Sequence, residues 1–121
     1  RSWRCVVMKI YLAGPMRGIP KFNFPAFYEA AEFLKQQGHE VFNPASSDCM
    51  EHGPEVCESP TGNLEDIKHT GFSLRHALKK DLSWICDHAE AVALLPDWER
   101  SLGATAERAL AVALGLDVIY L

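Results

Sequence analysis

Apolar residues recur along the chain with two alternating periods. Residues 5–13 form a near-continuous apolar run, broken by Lys9 and stopped by Gly14-Pro15, as expected for a strand buried in a parallel sheet. Over residues 23–37 the period lengthens: Phe27, Ala31 and Leu34 share one helical face, Pro25 suits a first turn, and Gly38 a C-terminal stop. Residues 40–43 read as a short second strand closed by Pro44. Residues 45–70 are rich in Ser, Pro, Gly, Asp and Glu and read as a long loop, with a helical turn near 64–68. The helical period returns from Phe72, where Leu74, Leu78, Leu82 and Ile85 form an apolar stripe. A third strand is predicted over 89–95, stopped by Pro96. Residues 101–114 then predict a helix with Ala106, Leu110 and Ala113 toward the core, ended by Gly115, and 117–121 a final strand.

Strands alternating with helices imply one parallel sheet with right-handed crossovers and helices on both faces. The expected architecture is a three-layer α/β sandwich of the flavodoxin-like or Rossmann-like kind, one domain over residues 1–121, with four to five strands. In such sheets ligands bind at the carboxyl ends of the strands, at the topological switch point. Two loops at that edge carry unusual chemistry, residues 14–23 and 96–103.

Composition narrows the partners. Twelve basic against sixteen acidic residues give a formal charge of −4, which disfavours a nucleic-acid polymer as ligand. No apolar run approaches the roughly 20 residues of a membrane span. Residues 1–7 lack the apolar core and cleavage site of a signal peptide, and read as an upstream extension or remnant before a natural start at Met8. The four cysteines, Cys5, Cys49, Cys57 and Cys86, are too few and too irregular for a disulfide scaffold, so a reducing cytoplasm is the default.

Several residues could carry chemistry. Gly14 and Gly18 flank Arg17 just before a helix start, an arrangement that suits an anion; a tight turn with a solvated arginine fits equally well. Glu107 falls near the start of the last helix, where the dipole favours an ionised carboxylate that could act as a nucleophile. An ordinary glutamate facing water is the simpler reading by composition. Asp81 sits at the edge of an apolar helix face and could reach the same cleft, though pairing with Lys79 or Lys80 on the helix surface is the plainer reading. Tyr11, near the end of the first strand, could hold a carboxylate through its hydroxyl or be a core tyrosine. Trp98, Phe22 and Phe24 could stack on a planar base or simply pack. Cys49, His52 and Cys57 fit no strong zinc pattern. His69, His76 and His88 read as surface residues, and Arg75, His76, Lys79 and Lys80 as a solvated helix face.

Three motifs in order, Tyr11-Leu12-Ala13-Gly14-Pro15-Met16-Arg17-Gly18, Asp81-Leu82-Ser83-Trp84-Ile85 and Ser101-Leu102-Gly103-Ala104-Thr105-Ala106-Glu107, resemble the nucleoside 2-deoxyribosyltransferase-like superfamily. Residues 22–27 and 94–99 look like its short bacterial and phage members, and all three motifs are similar to those of the 2'-deoxynucleoside 5'-phosphate N-hydrolases. The resemblance implies that Glu107 attacks the anomeric carbon, Asp81 positions the sugar or helps protonate the leaving base, and Tyr11 orients the nucleophile. Arg17 and Ser101 match the 5'-phosphate-binding positions, with Gly14, Gly18, Gly103 and Trp98 as further substrate-binding candidates. The small-molecule substrate would be a nucleotide or nucleoside, with no cofactor and no metal, in a cytoplasmic enzyme. The chain departs from the pattern at Pro15 and Met16, in a longer 96–100 loop, and over 45–70. So short a chain leaves its cleft open on one side, and with the resemblance this implies a homodimer. Two other readings stand beside it: cleavage of the nicotinamide bond of NAD, and a nucleotide-binding module without turnover.

Overall fold

A computed structural model describes residues 6–121. Its elements follow the order β1 (Lys9–Ala13), α1 (Phe24–Gln36), β2 (Glu40–Phe42), α2 (Pro44–His52), a single turn α3 (Pro54–Cys57), α4 (Leu74–Asp87), β3 (Ala91–Leu94), α5 (Leu102–Leu114) and β4 (Asp117–Tyr120). Short 3-10 turns at Pro20–Asn23, Leu64–Thr70 and Trp98–Arg100 complete the connections. The four strands pair in parallel in the order β2-β1-β3-β4. The expected α/β class, with a flavodoxin-like order and helices on both faces, is what is observed. Residue 5 of the first predicted strand lies outside the described residues, and the ladder itself begins at Lys9.

Alternation along β1 assigns the two faces. Ile10 and Leu12 pack with Phe24, Phe27, Ala31 and Leu34 of α1 on one side. Tyr11 and Ala13 pack with Ile85 of α4 and Ala104 and Ala111 of α5 on the other. All four of these β1 side chains are at most 1% exposed, so burial rather than any turn signal fixes the register. Because Tyr11 faces α4 and α5, the strand delivers its hydroxyl to the layer that carries the acidic residues.

Three expectations need correction. Residues 45–70 are not a long loop: α2 and α3 occupy much of the segment, and the 3-10 turn Leu64–Thr70 extends the helical turn expected near 64–68. Asn43 caps α2 by accepting from the Ala45 N–H at 3.0 Å, with Pro44 at the first helical position. Second, the buried line of α4 is Ala77, Asp81 and Ile85, not the leucine stripe, which flanks it. Third, α5 buries Ala104, Glu107 and Ala111, while Ala106 and Ala113 face out. Both rotations put a carboxylate in the middle of a buried face.

Cys49 and Cys57 are joined as a disulfide between α2 and α3, and Cys86 is an exposed thiol. The two sulfurs considered as metal ligands are thus bonded to each other, and the His52 ring packs edge-on against Phe72 with centroids 5.4 Å apart. No helix among the described residues is long and apolar enough to cross a membrane.

Candidate active site

The sheet order reverses between β1 and β3, and the loops that leave their carboxyl ends part there. A cavity of about 880 Å³ opens at this point. Tyr11, Asp81 and Glu107 line it, from β1, α4 and α5 respectively. Gly14, Arg17, Gly18, Ser101 and Gly103 line it too, so all but one of the catalytic and substrate-binding candidates meet at one place. Trp98 does not: its ring lies 6.1 Å from that of Tyr120, with the Arg108 guanidinium 5.2 Å from its centroid, and it is not part of the cavity wall. Phe22 and Phe24 line the wall but are 4% and 2% exposed, which commits them to packing.

Glu107 is the centre of the site. Tyr11 Oη donates to Glu107 Oε2 at 2.5 Å, both groups being buried. Burial first, then the charges of Asp81 and Asp48, push the Glu107 carboxyl up to about 8, with the tyrosine hydrogen bond opposing. Burial, again first, and the charge of Asp48 carry Asp81 up to about 7, opposed by Lys80 and the Tyr11 hydroxyl. Tyr11 itself is held well above its ordinary value by burial and by the two acids. Asp81 is buried, which overturns its reading as a surface residue paired with a lysine, and its Oδ1 has no hydrogen-bond partner among the described residues. Buried polar atoms are rarely left so, and one that lines a cavity is available to a donor on a ligand.

Replacing Tyr11 by Phe removes the hydrogen-bond donor to Glu107 Oε2, which among the described residues is what lowers its proton affinity. The Glu107 carboxyl of Tyr11→Phe is therefore expected to titrate above the parent value of about 8. Side-chain carboxyl NMR reads this directly, and an unchanged midpoint would show that the hydroxyl does not govern Glu107.

The glycines serve the loop more than a ligand. A Cβ on Gly14 would meet the Leu95 side chain at 2.8 Å, so the chain passes tightly over the end of β3. Gly18 takes a left-handed φ of 81°, and its N–H donates to Gly62 O at 2.9 Å rather than toward an anion. Lys21, Phe22 and Asn23 are all left-handed, with φ between 52° and 60°. Such strain persists only where the surroundings hold it. Here Lys21 N–H bonds Ser59 O, Asn23 Nδ2 donates to Pro15 O, and Phe22 is buried. Arg17 is left exposed at the cavity rim. Ser101 caps α5 by accepting from Ala104 N at 3.1 Å, which leaves its hydroxyl proton free for a ligand oxygen.

The structure adds one residue that the sequence reading missed. Asp48, on α2, lines the same cavity at 5% exposure. Lys80 donates to its Oδ1 at 3.5 Å and to Glu51 Oε2 at 2.8 Å. The Asn43-Pro44 pair could have signalled the helix that carries it. Among the described residues no group of His, Cys, Asp and Glu is arranged to hold a metal ion.

Neither the curated proteins nor the solved structures contain a match to the chain. A family model described as a domain of unknown function, DUF4406, matches residues 8–120, from the first strand to the last. The chain belongs to the DUF4406 family.

Proposed function

We propose that this protein cleaves or exchanges the N-glycosidic bond of a nucleoside 5'-monophosphate or nucleoside through a covalent glycosyl ester on Glu107. The observation that carries the reading is the 2.5 Å hydrogen bond from Tyr11 to Glu107 in a cavity that Asp81 shares. A buried carboxylate held by a tyrosine beside a second, proton-bearing carboxyl is the equipment of a retaining glycosidase.

Glu107 Oε attacks the anomeric carbon as the C–N bond breaks, and the bonding pair leaves with the base nitrogen. Asp81 supplies the proton that the departing base requires. Water, or a second base, then attacks the same carbon; the ester C–O bond breaks and Glu107 regains its electron pair. Asp81, now ionised, takes the proton from the attacking group. Arg17 and Ser101, at the rim, suit a 5'-phosphate. No step draws on a cofactor.

Attack needs Glu107 ionised, whereas departure of the base needs Asp81 protonated. Their midpoints, about 8 and about 7, stand in inverted order, so the reactive form is a minority at every pH. Below this window Glu107 carries a proton and cannot attack; above it Asp81 has lost the proton it must give. The pH profile of kcat/KM is expected to peak between about 7 and about 8 and to fall on both sides. A profile flat from about pH 5 to 9 would contradict these roles.

The reading is tested by chromatographic detection of free base from nucleoside monophosphates, nucleosides and NAD, with and without a second base. Base release from deoxynucleotides supports it. Nicotinamide release from NAD alone moves the substrate class, and tight binding without turnover replaces the enzyme with a binding module.

A further inference from the structure

Three buried carboxyl groups line the cavity, on Asp48, Asp81 and Glu107, while Asp97, Arg17 and Arg100 line its exposed rim; outside the wall, the Lys80 ammonium contacts Asp48. Lys80 and Asp81 are neighbours on α4, so one cation lies between the α2 acid and the α4 acid. Three buried negative charges around one cavity are not sustainable with one ammonium in contact with one of them. Protons must remain on the group, and position decides where. Among the described residues, Asp48 is the one of the three in hydrogen-bond contact with the ammonium, which opposes the rise in proton affinity that burial gives it, whereas Asp81 Oδ1 has no partner and Glu107 meets the Tyr11 hydroxyl.

We propose that Asp48, paired with the Lys80 ammonium, is a positioning residue of this site, whose negative charge keeps a proton on the Asp81–Glu107 pair in the same cavity. Its catalytic purpose, a proton reserved for the leaving base, rests on the glycosidase reading above; the retention of the proton does not. The titratable and charged groups around Asp48 are Glu51 and His52 on its own helix and His76, Lys80 and Asp81 on α4, with Tyr11 on β1, Glu107 on α5 and Arg17, Asp97 and Arg100 at the rim completing the cavity side. Glu51 accepts from Lys80 and pairs with His76 at 2.7 Å, so the ammonium is itself anchored from the solvent side. Burial and the charge of Asp48 act in the same direction on both Asp81 and Glu107, in keeping with this assignment.

The test is side-chain carboxyl NMR titration of the ligand-free protein and of Asp48→Asn, a near-isosteric change that removes the charge. Asp81 is expected to titrate lower in Asp48→Asn by about one pH unit, a roughly tenfold loss of proton affinity, with Glu107 moving the same way. In Lys80→Met, whose neighbours are otherwise unchanged, the Asp48 carboxyl is expected to titrate higher than in the parent. In an active enzyme both limbs of the rate profile of Asp48→Asn move to lower pH with the two midpoints, while Asp48→Glu restores them. Unmoved Asp81 and Glu107 midpoints in a folded Asp48→Asn, judged by an unchanged amide spectrum, overturn the proposal. If the midpoints move but the parent releases no base from any nucleotide, the electrostatic role stands and the glycosidase reading falls.

Discussion

Glu107→Gln is expected to lose base release by about three to four orders of magnitude, the scale of removing a covalent nucleophile, and to gain stability above neutral pH. The two effects share one cause. Glutamine keeps the volume and can still accept from Tyr11, yet it cannot form a glycosyl ester. The stability gain follows from linkage. The folded Glu107 carboxyl lies near 8 against an ordinary 4.5, so between these values the folded state binds more protons than the unfolded. Stability then falls as pH rises through that window, because ionising the buried acid in place costs free energy that the unfolded chain does not meet. At 5% exposure little solvent screens this cost. Removing the titrating group should stabilise the protein by on the order of 4 kcal/mol near pH 8 and leave it unchanged near pH 4. Thermal unfolding of both proteins across that range measures the difference. A variant that is inactive but no more stable at alkaline pH would mean that Glu107 is not held in a dry site.

Gly62→Ala should be the costliest addition of a single methyl group at any glycine of the chain. Gly62 has φ of 74°, and a Cβ there would stand 2.1 Å from Ile19 O and 2.6 Å from Ile19 N. Both are backbone atoms, so no rotamer change relieves the overlap. The same residue accepts the Gly18 N–H, and the contact locks the turn at 59–62 to the rim loop that carries Arg17. The left-handed backbone alone costs about 1 kcal/mol for alanine, and overpacking adds about 1–3 kcal/mol. A loss of about 3 kcal/mol in denaturant unfolding is expected, together with a raised KM for phosphorylated substrates as the rim shifts. Gly71 provides the contrast: its φ is 80° and nothing lies within 4 Å of its Cβ position, so Gly71→Ala should lose only the backbone share. Equal losses at the two positions would show that the 18–62 contact does not hold the rim.

These outcomes depend on a site that the sequence revealed unevenly. The four strands and α1 were legible because long apolar side chains mark a buried strand or helix face, as Ile10, Leu12, Phe27 and Leu34 do. The α5 register was not, because alanines occupy every side of residues 102–114 and hide which of them point inward. In α4 the leucines at 74, 78 and 82 drew the eye to a flank, while the line that is actually buried runs through Asp81. Hydrophobic periodicity has no means of expecting a carboxylate in a core. That failure is informative, since a local rule broken twice, at Asp81 and Glu107, converges on one cavity. Residues 45–57 read as a loop because Ser, Asp and Gly favour turns; only the Asn43 cap and the Pro44 that follows it mark the helix. With that helix missed, Asp48 was missed too. Tyr11, Asp81 and Glu107 are candidates by residue type and position, the resemblance implies their roles, and the fold places all three on one cavity.

The most direct test of the covalent route is to acid-quench the protein during incubation with a pool of 2'-deoxynucleoside 5'-monophosphates and map the resulting peptides by mass spectrometry. The account predicts free base in solution and a sugar-phosphate ester on the peptide that contains Glu107, absent from Glu107→Gln. Base release at the parent rate by Glu107→Gln, or an ester carried by a different residue, would contradict it.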